Sequence, residues 1–171
     1  MQLSLIFALP ASVGLIYLNF EIISSLFQRG NFLVNDAIQT SKALSIYSLS
    51  IIPISLQMLL LNFYFAEKNI RIPFYYSLAS VFLNVSLAYT LLDTFKFLAP
   101  PIAYAITNWL VFISLVYHTY KFGFYFNSAF KQAVPRIVLS SFFMLIFLIL
   151  TKSLTLQYFS TQILTILWLS M

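Results

Sequence analysis

The stretch ALSIYSLSIIPISLQMLLLNFYFA (residues 43–66) runs for 24 residues without a charge. A helix needs about 20 apolar residues to cross the hydrocarbon core of a bilayer, so this stretch can span it. A membrane strand would need only about 10 residues of alternating polarity, and no alternation is present. A helix satisfies its own backbone polar groups in lipid, which makes it the spanning element expected here.

The same pattern recurs on both sides. Residues 1–20, 72–92, 97–117 and 137–151 are also free of Asp, Glu, Lys and Arg. Hydrophobic residues make up 61% of the 171 and charged ones 8%, whereas a soluble domain is roughly half apolar and a quarter charged. The chain reads as an all-α, polytopic transmembrane helical bundle, a single transmembrane domain over residues 1–171.

Spans are expected at about 3–27, 37–66, 73–92, 98–118 and 133–151. The last run, ILTILWLSM, holds nine residues, a helical rise of about 13 Å and under half the bilayer core. Residues 161–171 therefore read as the start of a sixth span. The first span carries no basic leader or small-residue cleavage site and reads as retained.

Prolines punctuate these spans. Pro53 is expected to kink the middle of the second. Pro73, Pro100 and Pro101 suit the first turns of the third and fourth, where a missing N–H costs little. Between His118 and Arg136, aromatics alternate with basic residues in a composition suited to an interfacial connection.

The charges orient the chain. Alternate connections place Lys68, Arg71, Lys121, Lys131 and Arg136 on one side, and Arg29, Lys42, Lys96 and Lys152 on the other, which also carries Asp36 and Asp93. The positive-inside rule puts the first group, and with it the N-terminus, in the cytoplasm. The net charge of +5 is thus explained by anchoring and orientation, without nucleic acid as a partner.

Several chemistries lack their parts. Without cysteine there is no disulfide, thiol catalysis or thiolate metal site. His118, the single histidine, reads as an interfacial residue and not a metal ligand. No glycine-rich phosphate loop and no nucleophile with a histidine partner is present. We expect neither an enzyme nor a cofactor.

What remains is polarity inside the spans. Ser41, Ser45, Ser48, Ser55 and Asn62 follow one another at helical spacing along one stripe. Such a stripe serves close helix packing or lines a solvated transport cavity. Lys42, Ser45, Ser48 and, in the third span, Asn84 are the candidate substrate-cavity residues. Arg29 and Asp36 are candidates for gating or capping, a carboxylate in a first helical turn being able to accept free N–H groups. Glu21 is either functional or an interfacial residue near a helix end. The fifth span is apolar nearly all round, apart from Ser140 and Ser141, and so either faces lipid or lines a greasy groove.

The residues around the first connection carry a resemblance. Pro10, Leu26, Phe27, Gly30, Phe32, Asp36, Thr40, Ala43, Leu44 and Tyr47 stand in the order and spacing usual in the MurJ (MviN) family of lipid II flippases. Phe63, Tyr64, Pro73 and Asn84 continue the match. The resemblance implies the C-terminal lobe of a two-lobe flippase of about fourteen helices, here spans nine to thirteen and the beginning of the last.

It further implies translocation of the undecaprenyl-pyrophosphate-linked peptidoglycan precursor, by alternating access, across a bacterial inner (plasma) membrane. The family's cationic cavity residues lie mainly in the N-terminal lobe and have no counterpart here, which makes a separately encoded N-terminal lobe an expected partner beside membrane lipids. The family's last two helices form a groove thought to hold the lipid tail, a role that the fifth span and the truncated sixth match by position. Pro100 and Pro101 stand where the family usually has glycines, so the fourth span is expected to pack differently. The alternatives are a non-transporting fragment or scaffold subunit, or a related exporter of polysaccharide-linked lipid or drugs.

Overall fold

The computed structural model describes residues 2–28, 31–121 and 134–152. Its regular elements are all helical: α1 (Gln2–Tyr17), α2 (Asn19–Phe27), α3 (Val34–Ser48), α4 (Ile51–Ala66), α5 (Arg71–Phe95), a 3-10 turn (Lys96–Leu98), α6 (Ala99–Lys121) and α7 (Val134–Lys152). The interfacial connection and the partial sixth span lie outside the described residues.

Where one continuous span is expected over residues 3–27, the chain bends by 71° between α1 and α2. The hinge is Leu18. The Asn19 side chain donates from Nδ2 to the Ile16 carbonyl at 2.5 Å, a local bond that competes with the helical ladder. The bend thus coincides with the one side-chain amide of that stretch.

The second expected span also divides in two. Pro53 has no N–H to give the Leu49 carbonyl and its ring crowds that carbonyl. The backbone yields at Leu49 and Ser50, which bond three residues back, Leu49 N–H to Ile46 at 3.2 Å and Ser50 N–H to Tyr47 at 2.9 Å. The interruption falls four residues before the proline, where the ring meets the preceding turn.

α4 ends in a left-handed turn. Lys68 has φ 56°, Asn69 N–H bonds the Tyr64 carbonyl and Lys68 N–H the Phe65 carbonyl, which is the Schellman pattern. Pro73 then occupies the first turn of α5, and Pro100 and Pro101 that of α6.

α5 and α6 form an antiparallel hairpin. Tyr76 near the start of α5 donates to the Ser114 carbonyl late in α6, while Asn84 and Thr107 share a cleft nearer the turn. By length and apolarity, three helical runs can cross a membrane: Val34–Ala66, Arg71–Lys121 and Val134–Lys152, with the bent α1–α2 pair a fourth. The second of these runs contains the whole α5–α6 hairpin.

Small residues carry the helix contacts. Ala37, Ser41, Ala43 and Ser48 of α3 and Ala99, Ala103, Ala105 and Thr107 of α6 are buried, letting backbones approach without large side chains between them. Larger residues meet in two clusters. Leu5, Leu56 and Ile137 join α1, α4 and α7, and Leu60, Tyr64 and Leu115 join α4 and α6.

α1 and α7 run parallel. Leu5 packs with Ile137, a Cβ on Gly14 would lie 3.3 Å from Met144 Cε, and Glu21 pairs with Lys152. On α7 only one stripe is covered: Ile137 and Ser141 are buried and Met144, Leu145, Leu148 and Lys152 half-buried, while Phe142, Phe143, Phe147 and Leu150 are exposed. Ser140 and Ser141 both donate to the Ile137 carbonyl at 2.9 Å, which removes their hydroxyls from the apolar surface.

Candidate functional site

The polar stripe of α3 and α4 is turned onto its own backbone. Ser41 donates to Ile38, Ser45 to Ser41, Ser48 to Leu44 and Ser55 to Ile51, each to a carbonyl one turn earlier. The Ser48 carbonyl also accepts the buried Ser12 hydroxyl at 2.8 Å, tying α3 to α1. Ser41 and Ser48 are buried and Ser45 half-buried, a placement that suits close helix packing.

Two cavities receive other residues. The larger, about 640 Å³, lies between α3 and the α5–α6 turn and is lined by Ala43 and Tyr47, by Leu92 and Asp93, by Lys96 and Phe97, and by the two prolines that open α6. The smaller, about 250 Å³, lies between α5 and α6 and is lined by Ser80, Asn84, Tyr104, Thr107 and Asn108, with Val81 and Val85. In it the Asn84 Nδ2 and Thr107 Oγ1 atoms are buried and have no hydrogen-bond partner among the described residues.

The four cavity candidates are therefore not gathered into one site. Lys42 is exposed on α3 between buried Ser41 and Ala43, and among the described residues it enters no ion pair. Ser45 and Ser48 share its helix, whereas Asn84 belongs to the α5–α6 cleft. Lys42, Ser45 and Ser48 line neither cavity.

Asp36 is the third residue of α3 and accepts the Leu33 N–H at 3.0 Å. This is the acidic half of a capping box, because the leucine preceding the helix has no side-chain acceptor to return the bond. Arg29 lies outside the described residues, as does Gly30.

Two polar contacts were hard to foresee. Glu21, half exposed in the first turn of α2, pairs with Lys152 at the end of α7, and the lysine nitrogen sits 5.2 Å from the centre of the Tyr17 ring. The cation thus meets a carboxylate and an aromatic face together. His118, expected at an interface, is half-buried and hydrogen-bonded through Nδ1 to the Tyr64 hydroxyl at 3.0 Å.

That network fixes its own protons. The Thr119 hydroxyl gives its proton to the Leu115 carbonyl at 2.6 Å, so the Tyr64 hydroxyl donates to Thr119 at 2.9 Å. His118 Nδ1 must then carry the proton it gives to Tyr64. Gln57 adds a further tie, donating from Nε2 to the Asn108 carbonyl at 2.6 Å. The Tyr64 bonds and the Gln57 bond join α4 to α6.

Among the described residues no group of three or more His, Cys, Asp or Glu side chains could hold a metal ion. The arrangement offers packed polar groups, cavities between helices and many exposed apolar side chains suited to lipid.

Comparisons with known proteins agree on one family. The family model described as "Lipid II flippase MurJ" matches residues 1–170. A "Probable lipid II flippase MurJ" of Aquifex aeolicus is 35% identical over 157 residues, covering 91% of this chain and 31% of the relative. One of Rickettsia prowazekii is 25% identical over 166 residues, covering 96% of this chain and 33% of the relative. Among solved structures, "Lipid II flippase MurJ, inward closed conformation" superposes with a TM-score of 0.76 at 26% identity, over 86% of this chain and 30% of that one. The chain spans about a third of the length of these relatives. It belongs to the MurJ family of lipid II flippases.

Proposed function

We propose that this chain forms the C-terminal portion of a lipid II flippase and works with an N-terminal lobe to move the undecaprenyl-pyrophosphate-linked peptidoglycan precursor from the inner to the outer leaflet. The observation that carries the reading is the family match over residues 1–170. The likeness to an inward closed flippase structure supports alternating access, in which one helical bundle rocks against another.

In this reading the chain sits in a bacterial inner membrane with its N-terminus in the cytoplasm. It crosses five times, through α1–α2, α3–α4, α5, α6 and α7. The hairpin geometry of α5 and α6 supports counting that helical run as two. Exposed Lys42 is the cationic contact for the lipid's pyrophosphate on this half of the cavity, and Asp36 holds the start of α3 in place. The exposed apolar face of α7 contributes to a groove for the lipid tail.

Rescue of a flippase-depleted bacterium tests the reading. The chain alone should fail, and co-expression with the N-terminal portion of a MurJ relative should restore growth. Lys42→Ala in the two-part system should lower rescue markedly. Failure of the two-part system, with both parts shown to reach the membrane, would overturn the transport role.

A further inference from the structure

The 640 Å³ cavity beside the α5–α6 turn has a volume and an apolar lining typical of small-molecule sites, and it carries one charge of each sign. Asp93 ends on α5 and Lys96 follows its last turn. Three residues apart on a continuing helix, the two would be neighbours able to pair. They do not pair: among the described residues, neither enters an ion pair.

The reason lies in the backbone. Lys96 has φ 47° and ψ −114°, which takes it out of the helical course just after Phe95. A non-glycine residue is strained in such a region and stays there only when the surrounding structure holds it. The chain thus holds an ammonium and a carboxylate apart at the rim of one cavity, both exposed. Tyr47, Phe97, Pro100 and Pro101 provide the apolar wall beneath them.

We infer that this cavity binds a zwitterionic phospholipid headgroup that carries a primary ammonium, with its phosphate on Lys96 and its ammonium on Asp93. The charge pattern selects this occupant. One headgroup satisfies both charges at once, and the adjoining glycerol and upper acyl region cover the aromatic and proline wall. An anionic headgroup without an ammonium would satisfy Lys96 but set its phosphate against the Asp93 carboxylate. The inference concerns a resident lipid and does not depend on what the protein transports.

Native mass spectrometry of the chain in detergent, with added phosphatidylethanolamine or phosphatidylglycerol, tests this. Phosphatidylethanolamine should be retained about threefold more, the effect of one exposed charge pair. Asp93→Asn should erase that preference without weakening phosphatidylglycerol retention. Lys96→Gln should weaken retention of both. Because both side chains are exposed, unchanged helicity by circular dichroism serves as the folding control. Equal retention of the two lipids by the unaltered chain would overturn the inference, as would a preference that survives Asp93→Asn. Retention of neither lipid, as expected if a protein segment or water fills the cavity, would overturn it too.

Discussion

Two places in this molecule bring one acid and one base to a helix end, and they behave oppositely. Glu21 and Lys152 lie at far ends of the chain, yet they form an ion pair. Asp93 and Lys96 are three residues apart, yet across the cavity rim they stay unpaired. Nearness along the chain is a poor guide to pairing when the backbone between the two residues leaves the helix. By contrast, α1 and α7 pack in parallel and Glu21, just past the bend in the first turn of α2, meets Lys152 at the end of α7.

The first way to break this comparison is to part the helices that make the distant pair. Gly14→Leu would place a bulky side chain where a Cβ alone already lies 3.3 Å from Met144 Cε. Overpacking of this kind costs about 1–3 kcal/mol. Thermal unfolding in detergent should show that loss, and a cross-link between cysteines placed at positions 21 and 152 should form more slowly. An unchanged cross-linking rate would mean that the close approach at Gly14 does not position Glu21.

The second probe acts on the local, unpaired charges. Lys96→Gly removes the penalty of the left-handed backbone and should raise stability by about 1 kcal/mol, less the extra entropy of glycine in the unfolded chain. Denaturant titration measures it. A loss of stability would show that the Lys96 side chain has a structural contact outweighing its strain.

The smallest effect belongs to the distant pair itself. Both partners are more than a third exposed, so their coupling should be only about 0.2–1 kcal/mol. A double-mutant cycle on Glu21→Gln and Lys152→Gln measures it, and the exchange Glu21→Lys with Lys152→Glu should recover most of it. Zero coupling would mean that the ion pair contributes nothing to holding that helix end.

Much of the fold is legible from apolar runs and prolines. The expected span at 73–92 lies inside α5 and that at 98–118 overlaps α6 from Ala99 on, and Pro73, Pro100 and Pro101 stand in first turns because that is where a missing donor is harmless. Pro53 likewise marks a break that the backbone places at Leu49 and Ser50. The bend at Leu18 is not legible in the same way, since Asn19 reads as one polar residue in a long apolar stretch until its side chain is seen on the Ile16 carbonyl.

The candidate site was less legible than the fold. The serine stripe of α3 shows the correct spacing, but spacing cannot say whether a hydroxyl faces a cavity or its own helix. The structure shows the Ser45 and Ser48 hydroxyls bonded to carbonyls one turn back, which the spacing does not reveal. Asn84 lies on another helix pair, in a cleft that depends on how α5 and α6 fold back on each other. No periodicity within one span contains that information.

By itself the sequence determined that this is a helical membrane protein and, through the order of residues from Pro10 to Tyr47, which family it resembles. Hydrophobic length and backbone satisfaction are local properties, so a single chain reveals them. Only the tertiary structure decided which polar groups meet: Glu21 with Lys152, Tyr64 with His118 and Thr119, and neither Asp93 nor Lys96 with any charged residue among those described. Such pairings depend on crossings and turns between helices, which set distances that spacing along the chain does not encode.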